Sequence, residues 1–538
     1  MSLSIVYDDI AKNVKQYCTA SEGGAHAACA ESDILTDATV NNVAFCYPRY
    51  AKLSYGMSNP AQTLYGGIGW VSSAISSDNG TFTTAPTLTI SSSTTITAKG
   101  IVLTFNKFTG DCATKFTIEL YYADSLVDTV TVTDNEAIVC SVQTAAVRFD
   151  KIVVRFAATS KPYRPIMIHG IEFGTRTTLN DEHITSHSIT WETSIDSGAA
   201  IISTIDFTVS TQTAPELPEV GRKIKAYNGD TQLMTAYVTR KRKTGEYAVE
   251  VEAECALSRL EKISHGGNMY SGITAATLLS ELLGTSGVSY ELPGFKSNVT
   301  LSGYIPPCTL REALRQVAFA LGLIIDATSN DRIKLLTLPS SVSSVVPASR
   351  SYESSSSTKD VDEVAKIEVT TTSYTEGTGE AVELFADFLV GLTTIELDEP
   401  HGDYAITGGA IISSSCNRVI ISAGSGDMGF FVCLTGVPMA KRVQTRSISC
   451  SDSGTDIIEA DMTLWTDDDA SAGMANTLNR LKTLYTRNTE VDAKIIVDGE
   501  RLADFITVSK WGKSYSGYIN RMKFTIGSSS MAAEVTMI

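Results

Sequence analysis

The sequence predicts a mainly β, multidomain protein with a minority of helix: a β-sandwich, then small β-barrels, with a small α/β module between strands. Three observations predict it. From about residue 64, short runs of Thr, Val and Ile alternate with polar residues, and turn formers punctuate them. Only three segments carry helical periodicity. The chain has 538 residues, and at roughly 100–200 residues per domain that means about three to five domains.

The N-terminal region, 1–175, opens with little period and then gives the sandwich. Its strands are separated by turns at Asp78-Asn79-Gly80, Thr109-Gly110-Asp111 and Asp134-Asn135. Residues 176–265 hold short, closely spaced strands such as "ITSHSITWETSI" and "GEYAVEVEAEC", which suggest a small barrel. Residues 266–345 form the small α+β module. In "TAATLLSELLG", Leu278, Leu279, Leu282 and Leu283 share a helical face, and Gly284 follows as a C-cap. In "PPCTLREALRQVAFALGLIIDATSNDRIKLLTLP", Thr309 is the N-cap, with Glu312 three residues on as a capping box. Leu310, Ala313, Leu314, Val317, Ala318 and Leu321 form its apolar face, and Gly322 ends it. A hairpin of "LIIDA" and "IKLLTL" follows, and Arg311 and Arg315 lie on the polar side of the helix. Residues 346–465 are β-rich after a Ser-rich boundary. Residues 466–538 give a helix at about 467–487, acidic at its start and basic at its end, and then C-terminal strands expected to complete the barrels. Met474, Leu478, Leu481 and Tyr485 line one face of that helix.

Composition narrows the function classes. Hydrophobic residues make up 43% and charged residues 19%, which fits a folding chain rather than a disordered one. A formal net charge of −17 excludes a whole-chain electrostatic grip on nucleic acid. The ten cysteines include no C-x-x-C pair, so a zinc site or compact disulfide framework is not expected, and buried free thiols in a reducing cytoplasm are. The N-terminus lacks the apolar core of a signal peptide, and the apolar run 317–325 is too short to span a bilayer. A soluble chain without membrane insertion is expected.

The search for chemistry returns little. No P-loop, G-x-S-x-G, H-E-x-x-H or G-x-G-x-x-G is present. "GSGDMG" at 424–429 reads as a turn rather than a phosphate cradle. His183 and His187 stand four apart, but on a strand that spacing is about 13 Å, too far for one ion. Asp467-Asp468-Asp469 reads as a solvated helix start, and Arg240-Lys241-Arg242-Lys243 as a solvated hairpin tip that could meet an acidic partner. Tyr65 and Trp70 in "LYGGIGW" are the candidate glycan-stacking residues. No catalytic, cofactor or metal residue is proposed, and no enzyme activity is expected.

The run "TLREALRQVAFALGLIIDATSNDRIKL" resembles a segment of phage tail and baseplate hub proteins. The C-terminal "AKIIVDGERLADFITVSKWGKSYSGYINRMKFTIG", with its W-G-x-x-Y-x-G-x-I hairpin, is similar to the same family, as is the barrel passage at 184–262. "GWVSSAISSDNGTFTTAPTLTI" and "GIVLTFNKFTGDCATKFTIELY" resemble the galactose-binding-like β-sandwich of tail proteins of phages that infect Firmicutes. The resemblance implies a structural hub of a tail or tail-like particle, made in the host cytoplasm and placed in the virion. It implies a homotrimer that joins the tail tube or distal tail ring to the central spike or tip, near the tape-measure protein. DNA would pass through its channel without specific binding. The chain ends on hub-like strands, where some relatives carry a lysin domain, and this argues against an enzyme. The alternative reading is a host-adsorption protein that binds cell-wall glycan.

Overall fold

In the computed structural model, the described residues are 3–10, 18–22 and 70–538, apart from 73, 107–109, 146–147, 197, 213, 215–216, 329–331, 361–362, 424–429, 467–469, 486–488 and 527–529. The protein is mainly β: among the described residues only three helices reach nine residues, Ala275–Leu283, Leu310–Leu321 and Ala470–Leu484. The chain divides into two compact units, one of Val6–Thr178 and one of Met1–Ile5 with Leu179–Ile538.

The first unit builds one core between two antiparallel sheets. One sheet orders Cys18–Glu22, Thr87–Thr97, Arg148–Thr159, Ala113–Tyr122 and Ser125–Val132. The other carries Gly100–Phe105 between Val139–Gln143 and Met167–Leu179. Strict alternation, as in "TKFTIEL", sends Phe116, Ile118 and Leu120 inward, where they meet Leu103, Phe105, Phe149, Phe156 and Phe173. The Asp78-Asn79 turn is tied by its own side chains: Asn79 Oδ1 accepts from Thr81 N at 3.0 Å and from Ser77 Oγ at 2.6 Å.

The second unit begins with a long one-sided sheet. Its order is Ser351–Asp360, Thr489–Ile496, Met531–Met537, Lys513–Ile526, Ile184–Glu192, Thr204–Ser210, Ala248–Glu254, Thr231–Lys243 and Lys223–Asn228. A barrel over 184–262 was expected, and the sheet is open instead. The edge of Ile184–Glu192 that closure would need is taken by the C-terminal strand Lys513–Ile526, with Thr190 opposite Lys523. The edge of Lys223–Asn228 lies beside the N-terminal strand Leu3–Ile10, whose first residues belong to this unit. The hairpin that presents Lys513–Ile526 turns on Trp511 (φ 49°) and Gly512 (φ 70°), a two-residue loop with both φ positive that matches strand twist.

The helical module follows the sequence closely. Thr309 Oγ1 accepts from Glu312 N at 3.2 Å and caps Leu310–Leu321. The capping box is half made: the Glu312 carboxylate accepts from Arg315 and Gln316 instead. Thr309 still belongs to the strand Thr300–Thr309, where it sits opposite Ser264. Gly322 closes the helix at φ 67°, and a Cβ there would lie 2.9 Å from Arg480 Nη1. Arg311 reaches Glu261 at 3.2 Å. Ile324–Asp326 and Arg332–Leu336 form the expected hairpin, joined in parallel by Ser289–Glu291. The late helix packs Met474, Leu478 and Leu481 on the sheet of Val364–Thr375, against Ile367 and Val369.

One buried ion pair pins a connection. The Glu500 side chain is 1% exposed and bonds Arg350, while Ser344 Oγ donates to it at 3.3 Å. Burial raises the Glu500 pKa, but the Asp498 amide and Arg350 outweigh it, so the net shift is downward. A depressed carboxyl pKa stabilises the fold above its unfolded value near 4.3 and is lost as pH falls through the folded value. Glu500→Gln is therefore expected to narrow the gap in urea midpoint between pH 7 and pH 4 that the wild type shows. Glu500→Ala, which strands Arg350, is expected to cost about 3–5 kcal/mol at pH 7. Thr309→Ala should lower stability by about 1 kcal/mol in the same urea titration, and Gly322→Ala by more than the 0.4–1 kcal/mol or so that a compatible Gly→Ala change would add.

Candidate interaction surface

The sheet of the second unit has one wet face and one dry face, and register assigns every residue to one of them. Residues directly opposite each other share a face. One lateral row runs Tyr237, Glu254, Thr204, Thr190, Lys523, Glu534, Lys494 and Tyr352 across eight strands. The adjacent row runs Val238, Ala253, Ile205, Ile189, Phe524, Ala533 and Ile495, each at most 3% exposed. A bulge at Thr239, between the Val238 and Arg240 pairings, keeps Arg240 on the wet face opposite Glu252.

The wet face is banded by charge. Glu250, Glu252 and Glu254 form an acidic strand, flanked by Asp206 on one side and by Arg240 and Arg242 on the other. Arg240 pairs Glu252, Arg242 pairs Glu250 at 2.6 Å, and Lys241 on the other face reaches Glu219 at 3.0 Å. This corrects the expected solvated tip at 240–243: the run is the end of a strand, and its turn begins only at Thr244. The facing "VEVEAE" places its carboxylates in register with the basic run. Asp206 is left with the repulsion. Burial first, then Glu252, Glu250 and Glu254, push its pKa up, with Arg240 opposing.

Farther across, Arg521 and Lys523 form a basic band, and a groove of 510 Å³ opens beside them, lined by Ser357, Asp492, Glu534 and Thr536. Asp492 accepts from Thr536 Oγ1 at 2.7 Å and from Ser357 Oγ at 3.1 Å. Hydroxyls and alternating charges over several strands suit a broad, hydrated contact with another protein. The acidic band opposes nucleic acid.

The other sequence candidates fall as follows. Trp70 is 2% exposed, and its ring stacks on Phe156 with centroids 5.6 Å apart. It is a core residue of the first unit, and a buried ring offers no face to a sugar. Tyr65, Asp467-Asp468-Asp469 and "GSGDMG" lie outside the described residues. His187 sits in the strand Ile184–Glu192 and His183 in the turn before it, where its Nδ1 accepts from Asn180 N at 3.2 Å. Burial lowers the His187 pKa. Among the described residues no three His, Cys, Asp or Glu side chains stand close enough to hold a metal ion. Cys112, Cys140, Cys255 and Cys416 are buried thiols outside any disulfide, and burial raises Cys255 to about 11. Among the described residues no helix is long and apolar enough to cross a membrane.

Sequence reasoning missed the wet face, although its signal, alternating Glu opposite a basic run, stands in the sequence.

No family model matches the chain, and no curated protein matches it. Among solved structures it is similar to a tail protein from Neisseria meningitidis, at 10% identity and TM-score 0.41, covering 66% of this chain and 92% of that one. A prophage 43 kDa tail protein from Shewanella oneidensis aligns at 10% identity and TM-score 0.41, over 65% of this chain and 93% of that one. A prophage tail protein from Listeria monocytogenes aligns at 11% identity and TM-score 0.39, over 67% and 90%.

A raised carboxyl pKa destabilises the fold above it, and the penalty disappears below the unfolded value near 3.9. Asp206→Asn is expected to raise the urea midpoint at pH 7 and to match the wild type at pH 3. Arg240→Ala, at an exposed pair, should leave the urea midpoint close to that of the wild type in the same assay.

Proposed function

We propose that the chain is a structural hub of a phage tail or tail-like particle. In this reading it is a homotrimer that joins the tail tube or distal tail ring to the central spike or tip, around a channel through which DNA passes unbound. The observation that carries the reading is where the chain's last strands go. The segment with the hub-like W-G-x-x-Y-x-G-x-I hairpin returns to pair with Ile184–Glu192, so the two stretches that resemble the family build one sheet. A chain whose modules pack around inserted strands, with a banded polar face and no catalytic cluster among its described residues, is suited to holding neighbours in place.

The N-terminal unit is read as a galactose-binding-like sandwich whose role is docking against neighbouring subunits. With Trp70 in the core, the glycan-binding alternative rests on other residues of 1–175. The full chain is expected to leave purified host wall polymer in the supernatant of a sedimentation assay.

A cryo-EM map of the purified particle should place three copies on the tail axis, at the junction of tube and tip. Copies found only off that axis would sink the reading.

A further inference from the structure

We infer that copies of this chain join edge to edge through one small sheet, the basic edge strand Ala440–Ser449 of one copy pairing antiparallel with the acidic edge strand Asp456–Met462 of the next. The inference rests on the homotrimer proposed above and says which strands connect its copies.

The sheet has three strands and two open edges. Val364–Thr375 lies in the centre, paired antiparallel with Ala440–Ser449 on one side and in parallel with Asp456–Met462 on the other. Among the described residues neither outer strand has a second strand partner. An open edge presents a row of unpaired backbone donors and acceptors, a template for another strand. The two edges run in opposite directions, so setting one copy's acidic edge beside the next copy's basic edge gives an antiparallel pair and keeps each face of the sheet on its own side.

Charge makes the two edges complementary. Residues 440–449 contain Lys441, Arg442 and Arg446 and no acid, whereas 456–462 contain Asp456, Glu459 and Asp461 and no base. In one register alone do two acids stand directly opposite two bases: Asp461 opposite Lys441, and Asp456 opposite Arg446. All four residues are exposed. Among the described residues Lys441, Asp456 and Asp461 make no ion pair within their own chain.

The same register respects the faces. Arg446 is opposite Val369 and Asp456 opposite Val364, two core residues beneath the late helix, so both charges belong to that face. Lys441 is opposite Tyr374 and Asp461 opposite Thr370, on the other face. There Ile457 would lie opposite Thr445 and diagonal to Val443, which covers two apolar side chains that are each 55% exposed. A contact that joins two different edges is heterologous, and it repeats from copy to copy until the ring closes.

The test uses the full chain in its particle, carrying Lys441→Cys with Asp461→Cys, under mild oxidation. Within one chain these edges lie two strand spacings apart, about 9–10 Å, beyond the 7 Å or so that a disulfide spans. A covalent ladder that ends at three chains is therefore expected on a non-reducing gel, and each single-cysteine variant should run as the monomer. Lys441→Asp should weaken self-association of the purified chain by about tenfold with an unchanged melting temperature, and adding Asp461→Lys should restore it. Edge charges that serve only to block pairing predict no ladder. No ladder, a ladder equally strong in the single variants, or no rescue by the reversed pair would overturn the edge pairing, even in particles that hold three axial copies. A ladder that runs past three chains would support the pairing and overturn the trimer.

Discussion

The long sheet of the second unit depends on one register, Thr190 opposite Lys523. Strand side chains alternate with a period of two, so slipping this pairing by one residue would exchange the faces. If Lys513–Ile526 slipped, Met522 and Phe524 would turn to solvent, and Lys523 and Arg521 would enter the core. Burying an unpaired ammonium costs far more than one hydrophobic contact gains. The edge-to-face packing of Trp191 on Phe524, with centroids 4.5 Å apart, fixes the dry side of the same junction. Because the two strands are separated by more than 300 residues, the sheet forms only when both ends of the unit meet.

That junction makes the intervening modules insertions into one sheet rather than beads on a chain. The helix Leu310–Leu321 packs on the strand that feeds it and on Leu464–Thr466, and a glycine lets those two strands approach each other. At Gly303 (φ 133°) a Cβ would collide with the Thr463 carbonyl, where Thr300–Thr309 pairs with Leu464–Thr466. The charged groups are held at the surface by partners in register, as in the Arg242–Glu250 pair, or folded in against an opposite charge, as in the Arg350–Glu500 pair.

The functional picture follows from the same economy of faces. A scaffold needs broad surfaces that stay wet until a neighbour covers them, and the banded face of the long sheet has that character.

Much of the local structure was legible in the sequence. Thr309, Glu312 and Gly322 mark the ends of their helix because caps are decided within four residues. The alternation in "TKFTIEL" and the turn at Asp78-Asn79 are local for the same reason. What the sequence left open depends on distant partners. Whether Ile184–Glu192 closes a barrel is decided by which strand reaches its edge first, and the strand that takes it lies at 513–526. The basic run 240–243 looks like a tip until "VEVEAE" is found opposite. Trp70 has the same amphipathic chemistry in a core as on a surface, and only the stacking of Phe156 decides between them. By itself the sequence determined period, caps and turns, since these are short-range; pairing, burial and the sign of each surface were decided only by tertiary structure, because they are properties of two chain segments at once.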